Sequence, residues 1–98
     1  MAAEIPYDVR DNVEKHRFEI DLGDNSLAIA AYALHAGKII FTHTEVPSAY
    51  GGRGIGSALV QFALASARTR GLKVVPVCPF VAAYIEKHPE EQDLLDPT

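Results

Sequence analysis

What this chain has little of narrows its reading first. It has one cysteine, Cys78, in 98 residues. A lone thiol forms no internal disulfide, so a reducing compartment such as the cytoplasm is the expected setting. No apolar run approaches the ~18 residues of a membrane span. The start, Met1-Ala2-Ala3-Glu4-Ile5-Pro6, lacks the basic and apolar regions of a secretory leader. The nine lysines and arginines are scattered, with no basic run and no aromatic-interleaved patch. Neither nucleic acid nor a membrane is therefore an expected partner. The formal net charge of −4 favours a cationic substrate such as an amine. No His, Cys and carboxylate set has metal-ligand spacing, and no metal is expected. His16, His35 and His88 are expected at the surface or near an end.

What is present suits one domain over residues 1–98. Hydrophobic residues make up 48% of the chain, enough for a core without staples. The chain is organised around Lys38 to Val77, which reads as strand, glycine-rich loop, helix, strand. Lys38 to Val46 is β-branched and aromatic, as a pleated strand requires. Pro47-Ser48-Ala49-Tyr50 breaks it, and Gly51-Gly52-Arg53-Gly54-Ile55-Gly56 follows. From Ile55 to about Arg70, apolar residues recur with helical spacing (Ile55, Ala58, Leu59, Phe62, Ala63), with Ser66 on the same stripe. Gly71 reads as the residue just past the helix, and Leu72 to Val77 as a strand.

The flanks complete an α+β chain. Asp8, Arg10, Asp11 and Asn12 suggest a turn or loop. Val13 to Leu22 reads as a half-exposed strand, and Gly23 to Ser26 as a turn. Leu27 to Leu34 is apolar on both faces and reads as a buried strand. His35-Ala36-Gly37-Lys38 turns it back into Lys38–Val46. The expectation is a three-stranded antiparallel meander, then a parallel β-α-β unit, then a short helix. Pro76 implies a strand edge or a gap in pairing. Pro79 opens the second helix with Cys78 as N-cap, and Pro89 ends it. Leu94 and Leu95 are placed to dock, while the last three residues are expected to fray.

The glycine loop carries the chemistry. A helix start exposes unpaired N–H groups with a partial positive charge. Glycines before it let an anion approach the backbone, and Arg53 adds a full charge. A phosphate or diphosphate is the natural occupant. The dinucleotide fingerprint G-x-G-x-x-G fails, because Leu59 holds its third glycine position and no carboxylate lies about 20 residues on. The P-loop G-x-x-x-x-G-K-S/T fails because Ser57 stands where the lysine is required.

Arg53-Gly54-Ile55-Gly56-Ser57-Ala58-Leu59-Val60 resembles the coenzyme A loop of the GNAT superfamily of N-acetyltransferases, written R/Q-x-x-G-x-G/A. Gly54 and Gly56 match its small positions. Gly51 replaces the first Arg or Gln, and neighbouring Arg53 supplies a charge. Cys78 to Glu90, and His43-Thr44-Glu45-Val46, resemble a small GNAT-like group. The superfamily's Y-x-x-x-G-F appears as Tyr84-Ile85-Glu86-Lys87-His88-Pro89, keeping the Tyr and losing Gly-Phe. The resemblance spans about Leu27 to Leu95. It implies acetyl-CoA or coenzyme A held at Val46, Gly51, Gly52, Arg53, Gly54, Ile55, Gly56, Ser57 and Cys78. It also implies parallel strands that splay to admit the pantetheine arm, a backbone N–H near Glu45 and Val46 facing the thioester oxygen, and Tyr84 as an acid for the leaving thiolate.

From the residues themselves, Cys78 sits between a strand end and a helix start, where a thiol pKa falls. His43 and Glu45 are candidate bases, and His43 shares a strand face with Ile39, Phe41 and Glu45. The expected activity is transfer of an acetyl group from bound acetyl-CoA directly to a primary amine, on a small molecule or a peptide. The alternative is a module that binds coenzyme A or acyl-CoA without turnover. The protein is expected as a monomer or a homodimer.

Overall fold

The computed structural model describes residues 7–97. Five strands form one sheet in sequence order: β1 (Val9–Asn12), β2 (Arg17–Gly23), β3 (Ser26–His35), β4 (Lys38–Glu45) and β5 (Lys73–Pro76). Strands β1 to β4 are antiparallel, and β5 runs parallel to β4. Helix α1 (Ile55–Thr69) crosses from β4 to β5, and α2 (Pro79–Lys87) follows β5. Short 3-10 turns cover Ser48–Tyr50 and Pro89–Leu94. The α+β class and the β-α-β unit are those expected. No helix of the described residues is long and apolar enough to cross a membrane.

The meander has four strands rather than three. The Asp8 to Asn12 stretch, expected as a turn or loop, supplies β1, and the strand expected from Val13 starts only at Arg17. Cross-strand chemistry accounts for it. The carboxylate of Glu19, only 3% exposed, accepts hydrogen bonds from Arg10 Nη2 at 3.1 Å, Asn12 Nδ2 at 3.0 Å and Arg17 Nε at 2.6 Å. On the other face of β1, Asp11 accepts the Tyr32 hydroxyl proton at 2.7 Å. The polar residues that look like a loop are thus partners waiting for β2 and β3. Residues 13–16 turn the chain, with His16 in the left-handed region at φ 54°. Residues 1–6 lie outside the described residues.

The core occupies one face of the sheet. Phe18, Ile20, Ala28, Ala30, Tyr32, Ile39, Phe41 and Val74 point into it, and Ile55, Leu59, Ala63, Val81 and Ile85 cover it from the helices. Fully burying one such phenylalanine is worth about 1.5–3 kcal/mol. Strand β3, expected to be buried on both faces, is buried only through Ala28, Ala30 and Tyr32; Ala33 and Leu34 are exposed. The opposite face carries Arg10, Glu19, Ile29, Ala31, His43 and Glu45 by register.

Both ends of the helical layer follow from sequence. Gly71 adopts φ 68°, and the Leu72 N–H reaches back to Ala67 O at 2.9 Å, closing α1. Leu94 is buried, and Leu95 bridges to Val74 as a parallel extension of the sheet. Asp96, expected to fray, is held: its N–H donates to Val74 O at 3.0 Å and its carboxylate pairs with Lys38 at 3.0 Å. Backbone pairing at an open sheet edge outweighs end entropy there. Thr98 lies outside the described residues.

Burial raises the Glu19 pKa, but hydrogen bonds from Arg17, Asn12 and Arg10 outweigh it, and the net shift is downward. A depressed carboxyl stabilises the fold above its unfolded pKa, and that contribution fades as pH falls through the folded value. Glu19→Gln is expected to lose about 1–2 kcal/mol at pH 7, since it leaves Arg10 and Arg17 beside a neutral group. Urea denaturation checks this, and the deficit against the native protein should shrink below about pH 4.

Candidate active site

The loop between β4 and α1 frames a cleft of about 300 Å³ lined by Val46, Tyr50, Gly51, Gly52, Gly54, Ile55, Gly56, Ser57 and Phe80. All the expected cofactor-binding residues are in this wall except Arg53 and Cys78. Arg53 turns outward, its guanidinium carbon 5.3 Å from the centroid of the Tyr50 ring. Cys78 is the N-cap of α2 and is buried. A depression of about 440 Å³ at the β2–β3 turn presents Asp21 and Asp24, which disfavour an anion there.

The cleft ends on bare amides. Gly54 caps α1 in the left-handed region, at φ 74° and ψ 15°. The first intrahelical bond runs from Ala58 N–H to Gly54 O at 2.9 Å. The N–H groups of Ile55, Gly56 and Ser57 precede that bond, no side chain caps the helix, and its first turn holds no acid. Those amides and the dipole favour an anion. Gly56 has a second reason to be glycine. A Cβ there would lie 2.8 Å from Cζ of Phe80, so its missing side chain seats the aromatic wall of the cleft. Phe80, 44% exposed, was not among the expected site residues. Its signal was a large apolar residue straight after Cys-Pro.

Beyond Phe41 the two parallel strands part. The ladder runs from Lys38↔Lys73 to Phe41↔Pro76, and Cys78 N–H then closes onto Phe41 O at 2.8 Å. Pro76, with no N–H to offer, marks the last rung, as expected. Strand β4 continues alone along β3 to Glu45. Where the pairing ends, the Cys78 Sγ and the Thr44 Oγ1 lie 3.3 Å apart. Burial pushes the Cys78 thiol up, but the Thr44 hydroxyl and the backbone N–H groups of Val81, Phe80 and Thr44 outweigh it. The net result is a thiol held below its ordinary pKa, a pattern of helix-start cysteines.

Thr44 was missed because of a β-bulge. Pairing shifts by one residue between Tyr32↔Phe41 and Ala31↔His43, leaving Thr42 as the extra residue of β4. His43, expected to share a face with Ile39 and Phe41, is therefore on the opposite side of the sheet, and Thr44 takes the inward direction. His43 and Glu45 do share a face, with Nε2 and Oε2 2.9 Å apart, and both are exposed. The four expected catalytic residues thus fall into separate places. His43 and Glu45 form a pair on the open face, and Cys78 lies at the strand opening. Tyr84 stacks on His88 at a centroid distance of 4.0 Å. It lines an adjoining depression of about 220 Å³ with Ser57, Phe80, Ala83 and Lys87. Burial, then the charges of Glu91 and Glu90, raise its pKa. Among the described residues no group of three or more His, Cys, Asp and Glu is arranged to hold a metal ion.

Known proteins share this fold. The family model of GCN5-related N-acetyltransferases matches residues 17–94. The NATD1 proteins of Gallus gallus and Mus musculus are each 32% identical over 91 residues, which is 91% of this chain and 83% of theirs. Homo sapiens NATD1 has the same identity over 80% of its length. A Staphylococcus aureus protein solved by NMR in solution, described as a GCN5-like N-acetyltransferase candidate, superposes with a TM-score of 0.73. It is 28% identical and aligns over 94% of this chain and 90% of its own. This chain belongs to the GCN5-related N-acetyltransferases.

Proposed function

We propose that this protein is an acetyl-CoA-dependent N-acetyltransferase that acts on a primary amine by direct transfer. One observation carries the reading: the first amides of α1 line a cleft, and two residues from its Val46 and Phe80 walls, at Thr44 and Cys78, β4 and β5 no longer pair. That cleft suits a diphosphate at the amides of Ile55, Gly56 and Ser57 and the Gly51–Gly54 loop, with the charge of Arg53 nearby. Val46 and Cys78 would border the arm leading to the thiol. The cofactor supplies an acetyl group activated as a thioester. The backbone from Thr44 on to Val46 is not paired with β5, and that stretch is suited to steady a developing oxyanion.

The side-chain roles are part of the same proposal. His43 on the open face accepts the proton of the incoming amine, and Glu45 steadies the resulting imidazolium. Tyr84, with its pKa raised, keeps its proton through neutral pH, as a donor to a leaving thiolate must. A second reading, transfer through Cys78, is favoured by the depressed thiol pKa at the strand opening. There the Cys78 thiolate would attack the thioester carbon, forming a bond to Sγ and releasing coenzyme A. The amine would then take the acetyl group and return the thiol.

Calorimetry with coenzyme A is expected to give a Kd well below millimolar, and no binding at millimolar ligand would end this reading. Acetyl-CoA turnover over a panel of polyamines, amino acids, aminoglycosides and lysine peptides separates an enzyme from a module that only binds. Mass spectrometry after acetyl-CoA treatment without amine separates the two routes. One added acetyl group at Cys78, lost in Cys78→Ala together with turnover, selects the covalent route.

Two variants test the geometry. Gly56→Ala should turn the Phe80 ring out of the cleft wall and weaken coenzyme A binding about tenfold, or roughly 1.4 kcal/mol. In a Phe80→Ala background the same change should cost little more, because the clash is gone. Thr44→Val removes a hydroxyl that stabilises the thiolate, so the Cys78 thiolate absorbance near 240 nm should appear at higher pH than in the native protein.

A further inference from the structure

The glycine loop is anchored from the far edge of the sheet. The Tyr7 hydroxyl, 46 residues away, donates to Arg53 O at 2.9 Å. Tyr7 is packed against the core, and the Tyr50 hydroxyl makes a longer bond, 3.4 Å, to Leu22 O. Arg53 O belongs to the same peptide unit as the Gly54 N–H. No peptide bond among the described residues is cis, so these two groups point in opposite directions within one rigid plane. Gly54 lines the cleft and Arg53 does not.

The plane itself has little local restraint. Glycines flank Arg53, at φ 78° for Gly52 and φ 74° for Gly54, and glycine rotates through such regions at small cost. Nothing in the loop's own covalent structure prevents that peptide from rotating its N–H away from the cleft.

We propose that Tyr7 is a positioning residue for the anion site: by holding Arg53 O on its own side, it aims the Gly54 N–H into the cleft. This rests on the reading that the cleft takes the diphosphate of coenzyme A. The hydrogen bond pre-organises the loop, so that binding need not bear the cost of ordering it. Tyr7 touches no ligand in this account, and its effect is confined to ligands that carry the anion.

Tyr7→Phe removes the hydroxyl alone. Its Kd for coenzyme A should rise about three- to tenfold, the range of one net hydrogen bond. Pantetheine, which lacks the diphosphate, should bind native protein and variant alike when followed by NMR titration. An unchanged Kd for coenzyme A overturns the proposal. An equal loss for pantetheine also overturns it, since Tyr7 would then support the whole fold. Relaxation dispersion on the ligand-free proteins gives a readout independent of the cofactor. The Gly54 amide should show exchange broadening in Tyr7→Phe and none in the native protein, and a quiet amide in both overturns the inference. If native protein binds no coenzyme A, the cofactor reading falls on its own and this broadening still decides the role of Tyr7.

Discussion

The site depends on the loss of pairing between β4 and β5 after Phe41 and Pro76. Two parallel strands that stayed paired would bury their amides in a ladder and leave no opening. Here proline removes a donor at the last rung, and the Cys78 N–H takes Phe41 O instead. That one bond turns the chain out of the sheet and starts α2 with its amides around the Cys78 sulfur. The neighbouring backbone of β4 is left facing the gap. A polar opening of this kind in a small domain is tolerable because the rest of the sheet is closed by β1 to β3 and by the tail at Leu95.

The bulge at Thr42 divides the chemistry between the two faces of the sheet. Without it, strand alternation would send His43 into the core and Thr44 to solvent. With it, a polar pair stands on the bare face and a hydroxyl stands against the thiol. The bare face results from the helices packing on one side only. A sheet with four antiparallel strands accommodates that, since each strand needs only one apolar face. Glu19 departs from the pattern: it is a charge buried on the uncovered face, made tolerable by two arginines and an asparagine.

The glycine loop unites local conformation with tertiary demand. Gly54 is required by its own backbone, which adopts the left-handed region as the α1 cap. Gly56 is required by a neighbour, the Phe80 ring. In sequence both look like room for an anion, and only the packing of α2 against α1 separates the two reasons. Likewise, Arg53 beside the glycines invites a direct phosphate contact, whereas its side chain lies over Tyr50 and its carbonyl is held by Tyr7.

The sequence by itself determined what depends on neighbours a few residues apart. Helical spacing, glycine and proline punctuation and β-branched runs fix α1, α2, β4, β5 and the loop, because each reflects local backbone preference. The glycine punctuation before α1 was legible for the same reason. Only the tertiary structure decided what depends on partners distant along the chain. It made β1 a strand through Glu19 and Tyr32, reversed His43 and Thr44 by a one-residue register shift, and set Phe80 in the cleft wall. Register and side-chain pairing are settled by contacts across the sheet, and no local pattern within a single strand encodes them.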